Sequence, residues 1–324
     1  MAITRSQALN NIYTSTWQAR MPSVPDQIFS KIGLLAWLRS NGGFQEQRGG
    51  LFVEFPLAFS DPALTTWVVK GAAPDIADWE ELTDAKFDWK YATFPIPRFF
   101  VDDQQNAGSE TRFLNLIDHR MGTAESSIRA NLNTALFAAA PATAQIVGLQ
   151  RLVADDPTTS TSIGEINQAT YTWWANKTKN MTGLSFYTNF VPEARTLWNN
   201  CSNNLAGDEP DILVAGQTVA EYYEAVVDDR IRFGNERMLE LGFHNILFNG
   251  APMIWDGQCA NTRCYFLNTS HLKLVVDPAH FFRMTDWKVI PAQVDDWVAH
   301  IVLAVAFVTN NRRVQGVMHT IDTP

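Results

Sequence analysis

Cysteine is scarce in this chain. Cys201, Cys259 and Cys264 are the only thiols among 324 residues, too few for the disulfide framework of a small secreted domain. Cys259 and Cys264 lie five apart, with no second Cys or His pair at zinc-site spacing, so three free thiols in a reducing cytosol are expected. The six histidines are dispersed. No HExxH occurs, and His271 and His280 are not at the i,i+4 spacing of a helical metal site. Phosphate-binding and nucleophile motifs are absent as well: there is no GxGxxG, no GxxxxGK[ST] and no GxSxG, and Ser185 in GLSFY lacks the second glycine of an elbow. The longest apolar run, 301–308, falls far short of the roughly 20 residues that span a bilayer. The opening MAITRSQALNNIY has no apolar core of a signal peptide. Basic residues are scattered, their densest point being Arg312-Arg313, and the net charge is −9. Tight gripping of nucleic acid is therefore not expected, although an acidic wall can enclose a like-charged polymer without sticking to it.

What is present is aromatic and apolar. Apolar residues make up 46% and charged residues 18% of the chain, with 11 Trp and 20 Phe, which predicts a folded chain with a sizeable core. Large aromatics fill cores and also anchor interfaces. Residues 28–39 read as a short helix ended by Ser40-Asn41-Gly42-Gly43. Residues 50–59 alternate, placing Leu51, Val53, Phe55, Leu57 and Phe59 on one face, and Pro56 marks an exposed or edge strand. Residues 85–94 alternate again, with Phe87, Trp89 and Tyr91 together. These two runs predict a long two-stranded ribbon, marginal alone and in need of a surface to lie on, as a neighbouring subunit would supply. Its tip is acidic, with Asp61, Asp75, Asp78, Glu80, Glu81 and Asp84 against the single base Lys70.

Residues 109–139 predict one long helix. Leu114, Ile117, Met121, Ala124, Ile128 and Leu132 form its apolar stripe, and Asp118, Arg120, Glu125 and Arg129 form a charged face expected to be wet. Ser109 and Pro141 are its start and stop signals. Beyond it, 189–203 reads as helix and 211–215 as a short buried strand. Thr218 to Glu221 reads as a capping box opening a helix that runs through Ile231. The C-terminal part is strand-rich: Leu272, Leu274 and Val276 alternate, 301–308 reads as a central strand covered on both faces, Asn310-Asn311 signals a turn, and 314–321 returns as a strand. The whole predicts an α+β chain.

Paired acids occur at Asp155-Asp156, Glu80-Glu81, Asp228-Asp229 and Asp295-Asp296. A glycosidase needs two carboxylates facing each other across a sugar, and sequence neighbours point to different sides. A β-rich carbohydrate-active enzyme is thus the reading from another class, supported only by tryptophan content and acids. No catalytic residue, cofactor or metal is expected.

The segment 148–179, GLQRLVADDPTTSTSIGEINQATYTWWANKTK, has poor chemistry but a particular form. Together with PDILVAGQTVAEYYEAV, MIWD, YFLNTSHLKL and TNNRRVQGVMHTI, in that order, it resembles tailed-bacteriophage major capsid proteins of the Hong Kong 97-type fold. The resemblance covers nearly the whole chain. It implies an N-arm at 1–44, an extended loop at 45–100, a P-domain with its spine helix at 101–147, an A-domain at 148–245, and C-terminal strands at 246–324 that complete both domains. It places the Trp173-Trp174 pair as packing at the junction between the two domains. It implies hexamers and pentamers of the chain itself, an icosahedral virion shell around double-stranded DNA, and assembly in the host bacterial cytoplasm. Implied partners are a portal, a decoration protein where the shell uses one, and a separate scaffolding protein, since a fused scaffolding segment would need roughly a hundred further residues. Trp67, Lys70, Glu80, Glu81, Phe87 and Trp89 become assembly candidates on the extended loop, with Arg112, Arg120 and Arg129 of the spine helix as partners for its acidic tip. Some relatives weld subunits by a Lys–Asn isopeptide. Lys70, with Asn310 or Asn311 as acceptor, is the pair that position offers here, but no helping acid is identifiable. An encapsulin-like compartment of the same fold is the nearer alternative.

Overall fold

The computed structural model describes residues 5–29, 31–59, 70, 82–101, 110–139, 142–202, 208–227, 246–291, 293 and 296–322. The strand around which it is organised is β14 (Trp297–Thr309), thirteen residues of which the last seven are all buried. Such a run, apolar on both faces, suits only an interior position in a sheet. β14 pairs antiparallel with β12 (Leu272–Met284) on one side and β4 (Lys90–Arg98) on the other. β1 (Phe44–Glu46) and the short β13 (Lys288–Val289) complete a five-stranded sheet. Across it lies the long helix α4 (Glu110–Leu136), which buries Ile117, Met121, Ala124, Ile128 and Leu132. That is the expected stripe, at three- and four-residue spacing. Ser109 and Pro141 lie outside the described residues, as does the side chain of Leu114.

The charged face of α4 is not simply wet. Arg20 bridges it, to Asp118 at 2.6 Å and to Glu125 at 3.0 Å. Arg120 donates to Pro97 O at 2.9 Å and to the Tyr13 hydroxyl at 3.4 Å. The covering element is the chain's own beginning, which forms three helices, α1 (Arg5–Arg20), α2 (Val24–Phe29) and α3 (Gly33–Ser40). The single helix expected over 28–39 is divided, because Ile32 takes an extended conformation (φ −109°, ψ 110°) between α2 and α3. Tyr13 and Trp17 are fully buried, and the Trp17 indole donates to Phe282 O at 2.9 Å.

β2 (Phe52–Ala58) and β3 (Leu82–Asp88) form the predicted ribbon, in the register Val53↔Phe87, Phe55↔Ala85 and Leu57↔Thr83. The run 85–94 is not one strand, however. It breaks at Trp89, and β4 then turns into the five-stranded sheet. Phe87 and Trp89 are buried while Tyr91 is 62% exposed, so the three aromatics do not share a face.

A second, six-stranded sheet runs β7-β15-β11-β8-β10-β9. Its strands are β7 (Lys177–Asn180), β8 (Ile212–Ala215), β9 (Ile246–Phe248), β10 (Ala251–Trp255), β11 (Cys264–Leu267) and β15 (Gly316–His319). Its own core includes Phe186, Phe190, Leu197 and Trp198 of α6 (Phe186–Cys201) and Val219 and Tyr223 of α7 (Gln217–Val227). The capping box expected at Thr218 does not form. The helix begins at Gln217, whose side-chain amide donates to the Glu221 carboxylate at 2.8 Å and so takes the group that would have reached the backbone. Residues 228–231 lie outside the described residues. Between the sheets, the segment 148–179 holds the short helix α5 (Leu149–Leu152) and a small hairpin of β5 (Ser162–Ile163) and β6 (Ile166–Asn167).

Because α1 is packed into the core, Trp17→Ala should cost about 3–5 kcal/mol, the usual loss for a buried large aromatic. A lowered urea midpoint with an unchanged denaturant slope is the expected result.

Candidate assembly surface

The segment 148–179 is held by one side chain from the far end of the chain. Arg312 is fully buried. Its guanidinium donates to Leu152 O at 2.7 Å, Trp174 O at 3.2 Å, Gln168 Oε1 at 2.9 Å and Asn176 Oδ1 at 3.0 Å, and it lies 5.9 Å from the centre of the Trp174 ring. Burial pulls its pKa down to about 9, still above neutrality, so the group remains a cation. Trp174, also buried, donates its indole N–H to Ile163 O at 2.9 Å. The basic pair read from sequence is therefore two unlike residues, since Arg312 is interior and Arg313 is exposed.

Against this body lies the ribbon. Val53, Leu57, Ala85 and Phe87 of its apolar face are buried within the same chain, and Phe55 packs beside them. The described part thus does not need a neighbour to cover that face. The opposite face carries Glu54, Pro56, Asp84 and Asp88, with Lys86 3.8 Å from Glu54. Trp67, Glu80 and Glu81 lie outside the described residues. Lys70 is exposed, and its neighbours in sequence are not described. Asn310 Oδ1 lies 2.9 Å from His271 Nδ1, and Asn311 Oδ1 accepts from Arg313 N at 3.1 Å. Trp89 sits at the joint between β3 and β4, and its buried indole N–H has no acceptor among the described residues. On α4, the side chain of Arg112 lies outside the described residues, Arg120 is bonded within its own chain as described, and Arg129 is half-buried.

The candidate chemistry disperses. Asp155 forms an ion pair with Arg263. Asp156 accepts from the Thr158 hydroxyl and backbone N–H, which hold its carboxyl below the usual carboxylate range. The two neighbouring acids therefore serve separate contacts rather than facing a substrate. Asp296 accepts from Phe100 N at 2.8 Å, while Asp295, Asp228 and Asp229 lie outside the described residues. A cleft of about 360 Å³ between α4, β4 and β14 is walled mainly by apolar side chains such as Phe94, Ile128, Leu132, Ile301 and Leu303, with Lys90 and Tyr91 also in its lining and no carboxylate among the described residues. A second cavity, of about 430 Å³, contains Asp211. Burial raises this carboxyl, yet it accepts from Thr269 N at 2.8 Å, the Trp37 indole at 3.2 Å, Asn41 at 3.4 Å and the Thr269 hydroxyl. It is a structural tie between α3 and the start of β8. Among the described residues no three His, Cys, Asp or Glu side chains could share a metal ion, and no helix is long and apolar enough to cross a membrane.

Two sheets with a long helix on one, a ribbon at its edge and a mixed α/β unit beyond it constitute the Hong Kong 97-type capsid fold. The capsid subunit of cyanophage A-1(L) is similar over 91% of this chain and 94% of that chain, with a TM-score of 0.61 at 12% identity. The procapsid of satellite phage P4, which includes its size determination protein, is similar over 100% and 93%, with a TM-score of 0.54 at 11% identity. An encapsulin complex from Synechococcus elongatus is similar over 88% of each chain, with a TM-score of 0.51 at 9% identity. No protein-family model matches the sequence. No curated protein matches it either.

Two predictions follow from the buried groups. Arg312→Ala removes the guanidinium from Leu152 O, Trp174 O and Gln168 Oε1, while Asn176 Oδ1 keeps the Ala154 N–H, and should destabilise the chain by roughly 3 kcal/mol. Arg312→Lys should recover little, since a point ammonium cannot reach four separated acceptors. Chemical denaturation of the two variants checks both. Burial also pushes the thiols of Cys201 and Cys259 up to about 12, and that of Cys264 well above its ordinary value. A thiol-reactive disulfide reagent at about pH 8 should therefore find almost no reactive thiolate in the folded chain and all of it after unfolding.

Proposed function

We propose that this chain is the major capsid protein of a tailed bacteriophage, a structural rather than a catalytic protein. The observation that carries the reading is the extent of the match. The likeness to a capsid subunit takes in more than nine-tenths of both chains. The dispersal of candidate catalytic groups among ion pairs and turn contacts agrees with it.

In this reading residues 1–44 are the N-arm, here three helices packed on the body, and 45–100 the extended loop. Residues 101–147 carry the spine helix of the P-domain, 148–245 make most of the A-domain, and 246–324 return strands to both. The chain assembles in the bacterial cytoplasm into hexamers and pentamers, and these into an icosahedral virion shell around double-stranded DNA. Closed symmetry makes many copies of a few contacts sufficient. Its partners are further copies of itself, a portal and a separate scaffolding protein. The acidic loop tip meets basic side chains of a neighbour, with Arg112 and Arg129 the candidates on the spine helix. The likeness to an encapsulin favours a second reading, a compartment filled with protein rather than DNA.

Recombinant chain, alone or with its scaffolding protein, should yield closed megadalton particles on sizing and negative-stain images. A chain that stays near 36.4 kDa under both conditions sinks the proposal. Nuclease-resistant DNA inside native particles decides for the virion, and a single cargo protein for the compartment. Deleting residues 60–81 and closing β2 on β3 with a tight turn should leave the subunit folded but abolish or weaken shells. Unchanged shell yield and stability would overturn the assembly role of the loop tip.

A further inference from the structure

The ribbon is held by the segment 148–179 at two points, one near its root and one just beyond the far end of β2. Lys86 donates its backbone N–H to Gly164 O at 3.1 Å. Gly164 and Glu165 form the two-residue turn of the β5–β6 hairpin, with φ of +62° and +65°, the left-handed pair that such hairpins require. A Cβ at position 164 would lie 3.1 Å from both Ala85 Cβ and Phe87 Cζ, so a side chain there pushes the ribbon residues away by a few tenths of an ångström. Further along, Phe59 stacks on Trp173, with ring centroids 5.4 Å apart and planes 23° apart. The supports are themselves fixed, since Ile163 next to the turn accepts from Trp174, whose backbone and ring meet Arg312.

We infer that Gly164 and Trp173 are positioning residues that set the inclination of the ribbon and so the angle at which its acidic outer face meets a second copy of the chain. The inference rests on the shell-subunit reading. Its leverage is geometric: seven strand residues extend roughly 23 Å, so a change of about ten degrees in inclination, once either the root contact at Gly164 or the far-end contact at Trp173 is altered, displaces one end of that strand relative to the other by roughly 4 Å. That is enough to break side-chain contacts with a neighbour.

The test compares Gly164→Ala with Gly183→Ala. Gly183 also has a positive φ, +73°, but a Cβ there meets nothing within 4 Å, so the control carries the backbone strain without the push on the ribbon. Trp173→Ala is compared with Trp173→Phe, which keeps a ring for stacking. Amide hydrogen exchange is measured on the full chain before assembly, and particle diameters afterwards. In Gly164→Ala and Trp173→Ala the amides of 52–55, 57–58 and 82–88 should exchange about three- to tenfold faster than in wild type. Those of β12 and β14 should be unchanged, and Gly183→Ala and Trp173→Phe should stay near wild type. Particles of the first two variants should be broadly distributed in diameter or fail to close. Ribbon exchange equal to that of Gly183→Ala overturns the inference, as do faster exchange and wild-type particles together. Faster exchange in a chain whose wild type never forms particles supports the hold on the ribbon while overturning the shell reading.

Discussion

A buried guanidinium with no carboxylate among its hydrogen-bond partners is the constraint on which this structure turns. Taking a cation out of water is costly unless its hydrogen bonds are replaced, and Arg312 replaces them with two backbone carbonyls and two side-chain amides. Both amides are themselves oriented. The Asn176 NH2 donates to Ala154 O at 2.8 Å, and that of Gln168 to Thr159 O at 3.2 Å. Each amide therefore presents its oxygen to the cation because its nitrogen is already used. A segment with little regular structure gains a single conformation in this way, since any other arrangement would strand the charge.

The position of Arg312 in the chain matters as much as its chemistry. Residues 310–315 carry the chain out of the five-stranded sheet and into the six-stranded one, from β14 to β15. Gln315 in the same crossing exchanges two hydrogen bonds with the Asn268 backbone, at 3.0 and 2.9 Å, and is fully buried. Asp211 adds the tie from α3. The relation between the sheets is thus specified by directional contacts. The seam between α4 and β14, by contrast, is apolar and leaves a cleft of about 360 Å³. Apolar contact supplies most of the stabilisation per area buried but specifies geometry less tightly than a satisfied polar network.

Periodic features were legible in the amino-acid sequence and tertiary ones were not. The stripe of α4, the alternation of β2 and the apolar run of β14 are local patterns whose period is the structure. The break at Trp89 is invisible to the same method, because alternation continues through it and only the pairing partner changes, from β2 to β14. The division at Ile32 hides inside an apolar stretch, and the Gln217–Glu221 contact competes with a capping signal of equal local merit. Arg312 looked like half of a basic surface pair. Nothing local distinguishes it from Arg313, since its burial depends on acceptors at 152, 168, 174 and 176. The acidic tip was legible as composition only, and Trp67, Glu80 and Glu81 gain no geometry from the described residues.

The same division explains how a fold can be shared at 12% sequence identity. An apolar strand such as β14 or a stripe such as that of α4 tolerates extensive hydrophobic substitution so long as volume and pattern persist. Most of the core can then change without changing the fold. What cannot drift independently are groups that satisfy one another: replacing Gln168 or Asn176 alone takes a buried acceptor from Arg312, and replacing Arg312 alone takes the cation from Leu152 O, Trp174 O and Gln168 Oε1. Such positions change together or not at all. A homologue that has lost the arginine at this crossing should therefore also have lost the amides at the positions of Gln168 and Asn176, and its 148–179 segment should be anchored by a different contact.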